Sequence, residues 1–247
     1  PILLTNLVST WAMLIIPAAT IDAFGRFVGN RRQSNLLLVL VFALLLIGTA
    51  VAMGAEQAGN PVLERWLSGG NLQGKELRFG PALSGLWAVV ATGTMTGAVN
   101  GAIDAAMPLT ILTALFNLFL QVVFGGQGTG VAYLLVFVLL AVFLTGLMVG
   151  RTPEFLGRKV EKPQVVWASL ILLIHPIFVL IPAALTLAGG TALAGNSNPG
   201  SHGISQVVYE YASAAANNGS GLEGLGDGTP WWNLTTSLSL LGGRFLP

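Results

Sequence analysis

Apolar residues run along this chain in long blocks, with polar residues gathered between them. Four blocks read as full membrane spans: Ile2 to about Phe24, Leu36 to Met53, Leu109 to Val149 and Val165 to Ala188. A helix needs about 20 such residues to cross the hydrocarbon layer. The third block is interrupted by Gly125-Gly126-Gln127-Gly128-Thr129-Gly130. A fifth begins at Trp231 and runs to Pro247. At about 1.5 Å per residue it covers roughly 25 Å, short of the ~30 Å layer, and reads as a truncated span.

The polar segments predict an orientation. Gly25–Gln33 carries Arg26, Arg31 and Arg32, and Gly150–Gln164 carries Arg151, Arg158, Lys159 and Lys162. Short basic loops face the cytoplasm, so residues 25–33 and 150–164 are placed there. Ala55–Phe79 mixes charge signs and Gly189–Ser201 has none, which fits the outside. The second span then leaves the cytoplasm and the third returns to it. Between them lies Gly80–Gly97, too apolar for a loop, yet a full span there would invert the basic loop at Arg151. It must dip in from outside and turn back. Ser201–Ser220 stands in the same position between the fourth and fifth spans. The chain thus contains one unit twice, over Asn35–Gly150 and Gln164–Pro247: span, re-entrant helix, polar turn, span. This is the pore unit of potassium channels, and the fold class is an all-α integral membrane protein.

Composition sharpens the picture. Of 247 residues 53% are hydrophobic and only 9% charged, with a mean hydropathy of +0.76; soluble domains carry about 25% charged residues. A net charge of +1 gives no support to a nucleic-acid partner, and the absence of cysteine excludes disulfides, thiolate metal sites and Cys nucleophiles. The chain begins at Pro1 inside an apolar run and ends equally abruptly, so it reads as a piece of a longer protein.

The chemistry sits in the two turns, Thr96-Gly97-Ala98-Val99-Asn100 and Asn217-Asn218-Gly219-Ser220. Glycine opens backbone conformations that aim carbonyls into a channel, and carbonyl rings replace the hydration shell of K+. Thr96, Asn217, Asn218 and Ser220 either add neutral oxygens or fix neighbouring strands. Each re-entrant helix aims its negative C-terminal end at the turn, which suits a cation. Asp104 and Glu223 follow the turns and either gather cations at the outer mouth or are plain interfacial acids. A Gly/Asn turn is also an ordinary helix C-cap. Asn218-Gly219-Ser220 and Asn233-Leu234-Thr235 match glycosylation sequons, a common chance match.

Gly125, Gly126, Gly128 and Gly130 form no phosphate loop, because no Lys-Ser/Thr ending follows and no strand precedes. They read as a broken membrane helix, either a gate on an ion path or a kink. His175-Pro176 reads as a kink with the His tucked against protein. Trp231 and Trp232 mark the outer interface. Arg244, thirteen residues past Trp231, lies roughly 20 Å deep; it is either a functional intramembrane charge or a side chain snorkelling to the surface.

These residues resemble a known family, the potassium-binding subunit of the Kdp-type potassium-transporting P-type ATPase of bacteria. The resemblance rests on "GRTPEFLGRKVE" (Gly150–Glu161), "NPGSHGISQVVYEYASAAANNGSG" (Asn198–Gly221), "FGGQGTG" (Phe124–Gly130), "TGAVN" (Thr96–Asn100), "GNPVLERW" (Gly59–Trp66), "GKELRFG" (Gly74–Gly80) and "GRF" (Gly243–Phe245), in order along nearly the whole chain. It implies four pore repeats around one pseudo-fourfold filter. Residues 1–34 would be the last span of the second repeat and its loop, 35–163 the third repeat, and 164–247 the fourth, truncated in its final helix. It places the third filter segment at Thr96, Gly97, Ala98, Val99 and Asn100, the fourth at Asn217, Asn218, Gly219 and Ser220, and a coupling charge at Arg244. It implies K+ as transported ion with no organic cofactor on this chain, and the bacterial plasma (inner) membrane as location. An ATP-hydrolysing P-type subunit and small membrane subunits are the implied partners. The chain departs from many relatives at Ile103-Asp104-Ala105, where they carry His-Asp-Ser, and at Gln121, where they often carry Glu.

No Asp-Lys-Thr-Gly-Thr motif or phosphate-binding loop is present, so ATP hydrolysis belongs to another chain. The alternative is a passive channel or symporter subunit of the Trk/Ktr type, which shares the fourfold pore repeat; "GRTPEFLGRKVE" and "NNGSG" resemble the Kdp type instead. A membrane enzyme lacks a supporting cluster of His, Asp and Glu.

Overall fold

The computed structural model describes residues 3–62, 65, 70–190, 195–198 and 200–247. Ile2 of the first expected span, Glu64 and Trp66 of the mixed-charge loop and Pro199 of the Asn198–Gly221 signature lie outside the described residues. The chain folds into α1 (Leu3–Val28), α2 (Arg31–Ala58), α3 (Gly80–Gly93), α4 (Pro108–Leu120), α5 (Thr129–Val149), a hairpin of β1 (Glu154–Phe155) and β2 (Arg158–Lys159), α6 (Lys162–Ala188), α7 (Gly200–Ala215) and α8 (Pro230–Phe245).

Among the described residues, α1, α2, α5 and α6 are long and apolar enough to cross a membrane. Their large side chains point outward: Trp11, Val39, Leu46, Trp167 and Leu173 are all more than half exposed. In water such continuous apolar faces would demand a partner; in a bilayer the acyl chains cover them. The protein is a membrane protein. The helices α3 and α7 have 14 and 16 residues, about 21–24 Å each, too short to span the ~30 Å layer.

Local sequence sets the ends. The Asn30 side chain accepts from Gln33 N at 3.1 Å and opens α2. The α4, α6 and α8 helices each start with proline in the first turn, where its missing N–H costs nothing. The only strands among the described residues are the two-residue pair in loop 150–164, where sequence predicted no strand. There Leu156 and Gly157 both take positive φ, 51° and 74°. That is the geometry of a two-residue hairpin turn, and it pairs Glu154 with Lys159.

Two apolar cores form. One joins α1, α2, α3, α5 and the segment before α5, and includes Leu37, Val89 and Phe124; the other joins α4, α6, α7 and α8 through Leu118, Val179, Tyr211 and Trp232. Contacts of α4 with α2 and α3, and of α5 with α6, tie the two cores together. Trp232, expected at the outer interface, turns its ring into the protein. It is 1% exposed and stacks on Tyr211 at 5.3 Å between ring centroids, whereas Trp231 lies at the rim and donates to Thr186 Oγ1 at 2.9 Å. At one end of the molecule Phe27 and Val28 share a groove with Arg158 and Lys159, so the two basic loops lie side by side.

Candidate functional site

The C-terminal ends of α3 and α7 meet. After α3, Met95 and Gly97 turn with positive φ (53° and 66°); after α7, Asn217 and Gly219 do the same (56° and 96°). These left-handed residues stop each helix and send the chain back toward the end it came from. The two turns touch. A Cβ on Gly97 would collide with the backbone carbonyl of Asn218 and lie 3.1 Å from the carbonyl carbon of Gly219. The Asn218 amide crosses the gap and donates to Ala91 O of α3 at 3.0 Å.

Cavities lie on both sides of the paired turns. One, of about 230 Å³, is lined by Gly97, Val99, Glu210, Gly219, Ser220, Glu223 and Asp227 among others. The other, of about 680 Å³, is lined by Met13, Thr96, Gly125, Gly126, Thr129, Asn217 and Arg244 among others. The turns therefore separate a smaller, acid-lined hollow from a larger one, the outer and the inner cavity respectively in the orientation expected from sequence. The negative ends of two helix dipoles face this partition.

Individual residues differ in what they offer. Among the described residues, the carbonyls of Thr96, Gly97, Asn217 and Gly219 accept no hydrogen bond. Ala98 O is occupied, accepting from Trp87 Nε1 at 2.9 Å, and so faces α3. The side chains brace. Asn218 Oδ1 accepts from Ser220 N at 3.0 Å and Ser220 Oγ at 2.6 Å, and Ser220 Oγ also meets Tyr209 OH at 2.9 Å. Gly219 N donates to Ser213 Oγ at 3.0 Å. Thr96 Oγ1 points to Met13 Sδ (3.2 Å) and Asn100 Nδ2 to Asn6 Oδ1 (3.3 Å), both on α1. With Asn218 6% exposed, the sequon there has no accessible amide.

Asp104 and Glu223 come together across the two units. Asp104 N donates to Glu223 Oε2 at 2.9 Å, while the Asp104 carboxylate accepts from Asn198 Nδ2 (3.0 Å) and His202 Nε2 (2.9 Å).

The helix break is longer upstream than its glycines predict. It opens at Gln121, whose φ of 54° ends α4, and continues through Phe124, Gly125, Gly126 and Gly128, all with positive φ. Gly130 is a correction: it lies inside the first turn of α5, not in the break. It is still needed small, because the backbones of Phe124 and Gly125 press against it. Gly125 N donates to Gly93 O at 2.8 Å, which hangs the break from the end of α3. His175, 3% exposed, meets Gln121 Nε2 through Nδ1 at 2.7 Å, so the kink histidine is buttressing the start of the break. Arg244, at the end of α8, reaches across the inner cavity and donates from Nη1 to Thr129 Oγ1 at 3.0 Å. This sets a cation beside the positive N-terminal end of α5, an unfavourable placement by dipole alone.

Sequence reasoning missed two features. Glu210 of α7 lines the outer cavity, with Oε2 2.8 Å from where a Cβ on Gly221 would sit. Burial, then the charge of Asp227, pushes its carboxyl up to about 7. An acid between two tyrosines in an apolar helix was the available signal. The second is a buried ion pair, Glu56–Lys75, whose members look in sequence like ordinary loop charges.

A family model described as potassium-transporting ATPase A subunit matches residues 1–247. A potassium-transporting ATPase potassium-binding subunit from Nostoc sp. is 60% identical over 246 residues, covering 99% of this chain and 44% of its own length. Proteins of the same name from Gloeobacter violaceus and Geobacillus kaustophilus are 56% and 45% identical, each over 98% of this chain and over 42% and 44% of their own lengths. The chain thus spans about half the length of the curated relatives it matches.

Proposed function

The chain belongs to the potassium-transporting ATPase A subunit family, and from that premise we propose that it carries half of a potassium filter and the path beneath it. Residues 1–34 end the second pore repeat, 35–163 make the third, and 164–247 the fourth. Two further turns from the remainder of the subunit complete the ring. The subunit sits in the bacterial inner membrane with loops 25–33 and 150–164 in the cytoplasm. K+ enters from outside past Asp104 and Glu223. It exchanges water for carbonyls at residues 96–100 and 217–220, and passes into the inner cavity toward an ATP-hydrolysing partner subunit. Small membrane subunits complete the complex.

The observation that carries this reading is the contact of Gly97 with Asn218 and Gly219, at the converging ends of two half-buried helices and between two cavities. The free carbonyls fit a dehydrated monovalent cation, because neutral oxygens replace water without the strong field of a carboxylate. The break at Gly125, Gly126 and Gly128 serves as the barrier on the inner side. Arg244 beside it supplies a fixed positive charge that opposes backflow and drives ion release.

The test is Gly219→Asp in the full-length protein with its transport partners. The expected outcome is loss of high-affinity K+ uptake with membrane insertion retained. An unaltered K+ affinity would refute the filter assignment.

A further inference from the structure

Glu56 stands in the last turn of α2 and is 0% exposed; the side chain of Lys75 is 2% exposed. Glu56 Oε2 pairs with Lys75 Nζ at 3.0 Å and accepts from Asn71 Nδ2 at 3.0 Å, and Oε1 accepts from Met107 N at 2.8 Å. Lys75 Nζ and Asn71 Nδ2 both donate to Ala105 O, at 3.3 and 2.8 Å. The backbone joins in: Ala102 N donates to Gly74 O at 2.7 Å, and Lys75 pairs with Gly101 in an antiparallel bridge. One polar knot therefore ties the end of α2 and the loop 71–75 to residues 101–107, which follow directly on Val99 and Asn100.

A buried charge is costly unless paired and hydrogen-bonded, and an apolar contact would hold a loop with less desolvation. What directional bonds to Ala105 O and Met107 N add is register. Trp87 fixes Ala98 O before the turn's end, and the knot fixes the chain just after it. A narrow cavity between them is lined by Trp87, Val99, Asn100, Glu56 and Lys75. The outer cavity beside the fourth turn has no Lys or Arg in its lining and holds Glu210 instead. The two turns are thus braced by different chemistry.

We propose that the Glu56–Lys75 pair is a positioning device for the third filter turn and so a determinant of K+ affinity. This rests on the filter reading above. Glu56 also keeps the ammonium neutralised behind the turn; stripped of its carboxylate, that charge would repel a cation in the filter.

The experiment measures K+-stimulated ATP hydrolysis of the full-length protein with its partners, separating KM for K+ from kcat. E56Q raises KM about tenfold with kcat held within about twofold. The double variant E56Q/K75M raises it less than E56Q, because no unpaired ammonium remains. N71A, which leaves the ion pair intact, raises KM about threefold and decides the matter should E56Q not assemble. G97A is the control. If G97A raises KM while E56Q and N71A leave it unchanged, the positioning role is overturned and the filter reading stands. If G97A also leaves KM unchanged, the filter reading itself falls. A loss of thermal stability at constant KM reduces the pair to a structural contact and likewise overturns the proposal.

Discussion

Gly97 packs against the backbone of Asn218 so closely that no side chain fits between them. Gly219, one residue on, faces open space with nothing within 4 Å of where its Cβ would be. Two glycines in matching turns thus have unequal constraints. G97A forces the turns apart, in addition to the roughly 1–3 kcal/mol of placing alanine at positive φ. G219A bears the backbone strain alone. The expected order is a larger rise in KM for K+ with G97A than with G219A, measured by uptake in the full-length protein; the reverse order would remove the contact from the binding site.

Among the described residues, the Arg244 side chain is held by one hydrogen bond, to Thr129, where both line the inner cavity. R244A is expected to uncouple ATP consumption from transport, leaving hydrolysis while K+ delivery per ATP falls severalfold. Transport and hydrolysis are measured together in proteoliposomes. Normal values of both would make Arg244 an anchor at the membrane boundary.

Gly125 has φ 46°, and a Cβ there would meet Gln121 O and the Cα of Gly130. G125A is expected to destabilise the break by about 2–4 kcal/mol, combining overpacking with backbone strain. The readout is a lowered melting temperature of the purified full-length protein, together with altered transport. G128A, whose Cβ meets nothing within 4 Å, bears only the strain of its positive φ and is expected to melt closer to the parent.

Glu210 has its carboxyl raised to about 7 by burial first and Asp227 second. It is neutral well below that pH and charged above it. The outer cavity therefore becomes more negative as pH rises through about 7, and KM for K+ is expected to fall over the same interval. E210Q flattens that step. For stability the sign is opposite: the raised pKa favours the folded state at low pH, and that contribution is lost as pH rises from the ordinary carboxylate range through about 7. A pH profile of KM, parent against E210Q, checks both the direction and the residue.

The first, second and fourth spans and both half-helices were legible because the bilayer enforces long apolar runs; the third, expected over Leu109–Val149, is instead the short α4 and a separate α5, of which α5 alone is long enough to cross. The turns were legible because Gly97, Asn217 and Gly219 are residue types that readily take positive φ, although Met95 takes it as well without any such signal. What sequence could not give is which polar side chains turn inward. Glu56 and Lys75 lie 19 positions apart in a loop that looks solvated, and only the folded path of 71–75 over 101–107 buries them. Trp232 carries the composition of an interface aromatic, but its helix phase sets it against Tyr211. Gln121 starts the break because His175, from a distant helix, satisfies its amide; no local signal at residue 121 announces that.

Gly125 N–H is bonded to Gly93 O, the last carbonyl turn of α3. A single hydrogen bond therefore joins the end of α3, three residues before Thr96, to the helix break. On the reading proposed above, a displacement of either end would strain that bond and pull on the other, with no long relay through the helices between them.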